Sequence, residues 1–295
     1  MNKRAGTLLG VISLSLALVL AGCGANGSSA AEKPDASSTT NQATASTPAA
    51  SGEGTSPATS ESQEKVELTI SAAASLTDAM TEIKTSYEQA HPNISLNFNF
   101  GASGALQQQI EQGAPADIFV SASAKNMKAL VDEHLIASTD QKNLLQNSLV
   151  AIVPADGTST VTSEKDLAND DIKTVAIGIP ESVPAGTYAK EALTNAKLWD
   201  QLDKKLVQGK DVRQVLQYVE TGNADAGFVY KTDALTSKQV KIAFEVDKNS
   251  YTPANYPLGI IEGTKHRTEA EQFYAYLQTP EVLDIFAKYG FSIPQ

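Results

Sequence analysis

A two-lobed α/β fold with a ligand cleft between the lobes is what this sequence predicts. Three observations carry that expectation. From Val66 onward, strand-like and helix-like runs alternate in the manner of βαβ units. The run Asn147-Ser148-Leu149-Val150-Ala151-Ile152-Val153-Pro154 then opens a second set of units. Late in the chain, Tyr256-Pro257-Leu258-Gly259-Ile260-Ile261 follows a polar stretch, and only helices come after it. The last two runs read as strands crossing between lobes. That assigns residues 65–147 and 255–295 to one lobe and 148–254 to the other. Ligands of α/β folds bind at the carboxyl ends of strands, so the cleft is the expected site.

Taken in order, the chain opens with the positive Met1-Asn2-Lys3-Arg4, followed by an apolar run from Leu8 to Leu20. That run is short of the ~20 residues that span a bilayer as a helix, and reads as a secretion signal over residues 1–22. It ends in Leu20-Ala21-Gly22-Cys23, which resembles a bacterial lipoprotein box, with Cys23 as the lipid-bearing first residue of the mature chain. Cleavage there removes Lys3 and Arg4 and no acid, so the mature protein is still more acidic. From Cys23 to residue 64 the chain is rich in Ser, Thr, Ala, Gly and Pro, with almost no large apolar residue. Such a stretch cannot bury enough surface to offset its ordering entropy and reads as a disordered tether. At about 5–6 Å × √n it would hold the folded part roughly 35 Å from the membrane.

The folded part begins with the strand-like Val66–Ser71 and the helix-like Leu76–Ala90. Ile94–Phe100 and Ala105–Gly113 form the next unit, and Asp117–Ala122 with Lys125–His134 the third. In the second set, Ser148–Val153 and Thr174–Ile179 are strand-like and Ala185–Leu198 helical; Val212–Thr221 is helical, then Ala224–Tyr230 and Val240–Val246 are strand-like. Tyr256–Ile261 is the last strand, and Thr268–Gln278 and Pro280–Tyr289 are the closing helices. Strands spaced by helices of this length argue for parallel pairing.

The 295 residues carry a net charge of −11, which argues against nucleic acid as a partner. With Cys23 the sole cysteine, the chain has no disulfide framework, and the histidines His91, His134 and His266 stand far apart with no metal-ligand spacing. No cofactor is expected.

The candidate site lies in turns. Ala72-Ala73-Ala74-Ser75-Leu76-Thr77 links a strand to a helix and, Leu76 apart, holds only small side chains and hydroxyls. A helix start leaves about four N–H groups without partners, a setting for an anion. Three further segments share that character: Phe100-Gly101-Ala102-Ser103-Gly104; Pro180 to Tyr188, with Val183-Pro184-Ala185-Gly186; and Gly209-Lys210-Asp211-Val212-Arg213. Tyr230, ending Gly227-Phe228-Val229-Tyr230, is a fifth candidate. Taken singly, Ser75 and Ser103 also suit helix N-caps, Asp211 to Gln214 suits a capping box, and Tyr230 suits the core. Two helix starts from each lobe favour the site. At roughly +0.5 charge apiece, four helix starts match a dianion without Lys or Arg. Lys210 and Arg213 could add field or simply be solvated, and Asp211 is expected to cap its helix sideways.

With these motifs stand Gly113-Ala114-Pro115-Ala116-Asp117-Ile118-Phe119-Val120-Ser121-Ala122, Val183 to Leu193 and Tyr289-Gly290-Phe291-Ser292-Ile293. Together they resemble the molybdate-binding proteins of bacterial molybdate ABC importers, over residues 66 to 295. The resemblance implies a type II periplasmic-binding-protein fold that closes on one oxyanion. It further implies ligands from the hydroxyls of Ser75, Ser103 and Tyr230 and the backbone N–H groups of Ala185 and Val212. On that reading the chain is no enzyme. It is a monomeric, extracytoplasmic lipoprotein that binds molybdate, and tungstate with it, and serves an ABC permease in the same membrane. A donor-only site suits a fully deprotonated dianion; a protonated phosphate would lack an acceptor, whereas sulfate could be refused only by size. Other readings are a sulfate-type binder, a sensing module for a membrane receptor, or a serine hydrolase. The last is weakened because Gly101-Ala102-Ser103-Gly104-Ala105 is not Gly-x-Ser-x-Gly and no histidine lies near a motif.

Overall fold

A computed structural model describes residues 65–294, all within one compact unit, Ser60–Gln295. The signal segment, Cys23 and the tether lie outside the described residues. Strand β1 (Val66–Ala73) passes through one 3-10 turn (Ala74–Leu76) into α1 (Thr77–Ala90). Next come β2 (Ile94–Gly101), α2 (Ser103–Glu111), β3 (Ile118–Val120), α3 (Ala124–Asp132) and a long β4 (Ile136–Asn147). The second stretch holds β5 (Leu149–Pro154), β6 (Val175–Gly178), α4 (Pro184–Asn195), α5 (Trp199–Leu202) and β7 (Leu206–Gly209). It continues with α6 (Val212–Glu220), β8 (Ala226–Tyr230), α7 (Lys231–Leu235) and β9 (Val240–Glu245). Strand β10 (Ala254–Ile261) and helices α8 (Arg267–Tyr276) and α9 (Pro280–Lys288) close the chain.

Among the described residues the strands form two five-stranded sheets, β2-β1-β3-β10-β4 and β7-β6-β8-β5-β9. Each is the centre of one lobe of a two-lobed α/β fold. The chain changes sheet between β4 and β5, where only Ser148 intervenes, and again between β9 and β10.

Parallel pairing holds for β1 with β2 and β3, and for β6 with β7 and β8. It does not hold for the strands next to the crossings. β10 runs antiparallel to β3 and β4, and β5 runs antiparallel to β8 and β9. The reason is connectivity. Parallel neighbours need a crossover helix to carry the chain back to the starting edge, whereas a strand fed directly from the other sheet enters in the reverse sense.

Burial follows strand position. Leu149 to Val153 of β5 are buried on both faces, as an inner strand requires. On the edge strand β2, Ile94 and Leu96 are buried while Ser95 and Asn97 are exposed. The parallel strands β1, β2, β6 and β7 hand over to a helix or helical turn at their carboxyl ends, and these ends carry the candidate turns.

Candidate functional site

Four strand-to-helix turns and the end of β8 meet at one place. Ser75, Ser103, Ala185, Val212 and Tyr230, from five separate segments, all line a single small cavity. Alanine, glycine, valine and proline make up the rest of its wall, and no charged side chain or histidine belongs to it.

The two serines are not caps. Leu76 and Ala102 occupy the cap positions of α1 and α2, and neither helix has a side-chain cap. Ser75 lies inside the 3-10 turn, buried, with its Oγ 2.8 Å from Tyr256 Oη. Ser103 is the first residue of α2 and fully buried; its Oγ accepts from the Ala122 N–H at 2.9 Å. With that lone pair engaged, the Ser103 hydroxyl hydrogen is available to a ligand.

From the other lobe, α4 begins at Pro184, whose missing N–H costs nothing in a first turn and whose fixed φ suits the helix. Ala185 follows, its N–H one of the first-turn donors without an intrahelical acceptor. Helix α4 sits so close to β6 that a Cβ on Gly186 would stand 2.0 Å from the Gly178 carbonyl oxygen, so only glycine fits there. At α6, Asp211 is the cap, accepting from Gln214 N–H at 2.9 Å, so its carboxylate is engaged along the helix flank. The box partner differs from expectation: Gln214 Oε1 accepts from Lys210 N at 2.7 Å. Val212 N–H is the first donor of that helix.

Arg213 does not lend its charge to the cavity. Its guanidinium bonds to Asp78, on α1 of the opposite lobe. Its Nε also lies 3.0 Å from Asp233 Oδ1, an ion pair without hydrogen-bond alignment. Asp233 is fully buried, and that burial pushes its carboxyl up to about 7, against the pull of Arg213 and of the Tyr230 N–H it accepts.

Tyr230 is 1% exposed, and among the described residues its Oη has no hydrogen-bond partner. Burial, with the neighbouring Tyr256, Tyr188 and Asp233, holds its phenol well above the ordinary value. It is therefore neutral and carries a hydrogen to donate.

The lobes touch around the cavity. Gly104 N donates to Ser182 O at 2.9 Å, and Tyr188 Oη donates to Ala122 O at 3.1 Å. Asp78, Asp233 and Tyr256 are participants that sequence reasoning missed, and Tyr188 and Ala122 entered it only as members of their motifs, without these roles. A phenol in the otherwise apolar run of β10 was the one available signal.

Two α/β lobes, joined at two crossings and closed over a small neutral cavity, define a solute-binding protein. The chain belongs to the bacterial extracellular solute-binding protein family, whose model matches residues 68–292. It is 54% identical over 232 residues to YvgL of Bacillus subtilis, which carries the name of an ABC transporter substrate-binding lipoprotein; the match covers 79% of this chain and 88% of that one. It is 40% identical over 236 residues to the molybdate-binding protein ModA of Escherichia coli, covering 77% and 89%. The periplasmic molybdate-binding protein of Azotobacter vinelandii has the same fold at a TM-score of 0.70 and 23% identity, over 77% of this chain and all of that one. The chain is thus an ABC-transporter substrate-binding protein with molybdate-binding relatives.

Proposed function

We propose that the chain captures molybdate, and tungstate as an anion of nearly equal size, between its lobes and delivers it unchanged to an ABC permease. The observation that carries this reading is the buried, partnerless Tyr230 Oη on the wall of a cavity whose other polar groups are serine hydroxyls and helix-start N–H groups. A buried hydroxyl left unpaired costs about 1–3 kcal/mol, and an acceptor in the cavity removes that cost. Three helices and one helical turn begin at the wall, each behaving as roughly +0.5 charge, which matches a dianion in a wall without ionised groups. A fully deprotonated tetrahedral dianion accepts from every side. Hydrogen phosphate brings a proton that only a wall hydroxyl could accept, and a hydroxyl turned to accept it no longer donates to the anion. The molybdate-binding relatives support the same choice of anion.

Five contacts follow: hydroxyl hydrogens from Ser75, Ser103 and Tyr230, and N–H groups from Ala185 and Val212. No histidine lines the cavity, so neither serine has a general base at hand, and binding without turnover is the reading supported. Lipidation at Cys23 would keep the monomer on the outer face of the cell membrane, within reach of its permease.

Calorimetric titration with molybdate, tungstate, sulfate and phosphate tests the proposal. Tight one-to-one binding of the first two, weak binding of sulfate and none of phosphate is expected. Heat from sulfate alone, or from none of the four, would overturn it.

A further inference from the structure

We infer that Tyr256, which stands outside the cavity wall, fixes the direction of the Ser75 hydrogen bond and so commits Ser75 to donating to the bound anion. This rests on the oxyanion reading above. The geometry starts at the crossing between lobes. Ser148 N–H donates to Asn147 Oδ1 at 2.9 Å, which orients the Asn147 amide. Its Nδ2 therefore points the other way, donating to Thr232 Oγ1 at 2.9 Å and to Tyr256 Oη at 3.3 Å.

The Tyr256 oxygen is thus an acceptor for Asn147, and its own hydrogen needs an acceptor elsewhere. Ser75 Oγ, at 2.8 Å, is the partner it has. With Tyr256 donating, Ser75 Oγ accepts, and the Ser75 hydrogen is turned toward the cavity. The opposite sense would leave the fully buried Tyr256 hydrogen unpaired and aim a serine lone pair at a dianion. Ser103 reaches the same end by another route, its Oγ accepting from Ala122 N–H. Each serine oxygen accepts from a group behind it, and its hydrogen is thereby directed toward the cavity. Tyr256 is in this sense a positioning residue for the Ser75 donor.

A double-mutant cycle with molybdate as ligand tests it. Tyr256→Phe in the wild-type background should weaken molybdate binding about tenfold, because the Ser75 hydrogen is no longer held toward the anion. In a Ser75→Ala background the same change should alter affinity less than twofold. An equal loss in both backgrounds, or no loss in the wild type, would overturn the inference, since a packing role does not depend on the Ser75 hydroxyl. Should Tyr256→Phe fold poorly, Asn147→Ala leaves the ring in place and is read through the same cycle, with the same expectation. A wild-type protein that binds neither molybdate nor tungstate would sink the functional reading itself, a different result from either outcome of the cycle.

Discussion

Tyr230 concentrates the chemistry of the site in one atom. Its ring contributes to the core, 5.7 Å centroid to centroid from Tyr256 in an edge-on arrangement, while its Oη has no partner among the described residues. Tyr230→Phe should therefore leave the ligand-free protein as stable as wild type or slightly more so, by up to about 1–3 kcal/mol, while molybdate affinity falls at least tenfold. Thermal melts without ligand and calorimetry with it measure the two effects separately, and a loss of stability without a loss of affinity would return Tyr230 to the core. Ser103→Ala removes one charge-assisted donor, worth about 1.5–3 kcal/mol, or roughly tenfold to somewhat over a hundredfold in affinity. Stability should fall as well, by about 1–3 kcal/mol, because the buried Ala122 N–H loses its acceptor. The four turns and Tyr230 were legible in the sequence because each marks a strand end or a helix start, whereas the choice of Ala185 and Val212 within their turns came from the family resemblance. Tyr256 and Ala122 were not legible, because their roles depend on partners 181 and 19 residues away, and a pairing of that kind leaves no mark on local sequence.

At the level of elements, the join between α6 and α7 carries a pH response. A carboxyl that holds its proton more tightly folded than unfolded contributes stability that is complete at low pH. That contribution is lost as pH rises from the ordinary 3.8 of Asp233 to about 7. Above that, Arg213 is the counter-charge that makes an ionised Asp233 tolerable. Arg213→Ala should thus cost little at pH 5, where Asp233 keeps its proton. Its deficit should widen above pH 7 toward the roughly 3–5 kcal/mol of an orphaned buried charge. Adding Asp233→Asn should flatten that deficit. Melts from pH 5 to 9 check it, and a deficit constant with pH would exclude the ion pair as its source. Arg213 was expected only to flank a helix start. The sequence shows a cation next to Val212 but not the acid folded onto it from α7. Strand β4 was missed for a related reason. Ile136-Ala137-Ser138-Thr139-Asp140-Gln141-Lys142-Asn143 is polar and lacks β-branched periodicity, yet β4 pairs along its length with β10. Its extended form is dictated by a neighbour more than 100 residues later, where tertiary pairing overrides weak local preference. β5, an unbroken apolar run, needed no such help.

For the molecule as a whole, the site is complete only when the lobes meet, because Ser75 and Ser103 belong to one sheet's lobe and Ala185, Val212 and Tyr230 to the other's. Affinity therefore includes the free energy of closure, and a change that obstructs closure must weaken binding even if it touches no ligand atom. Gly104 is the position where this can be isolated. It lies in the first turn of α2, and its N–H donates across the cleft to Ser182 O. A Cβ at Gly104 would stand 2.7 Å from that oxygen and 2.9 Å from the Ser182 Cα, backbone atoms of the opposite lobe that cannot swing aside as a side chain would. Within its own lobe the methyl meets no such obstacle, and alanine is the better helix former by about 1 kcal/mol. Gly104→Ala should accordingly leave the ligand-free melting temperature unchanged or slightly raised. It should lower molybdate affinity at least tenfold and shrink the stabilisation that ligand confers, which tracks RT ln(1 + [L]/Kd). Small-angle scattering at saturating molybdate should show a larger radius of gyration than wild type, since the lobes are held apart by the added methyl. Wild-type affinity with wild-type compactness in this variant would mean that the Gly104–Ser182 contact is incidental to closure and that the cleft shuts along another line.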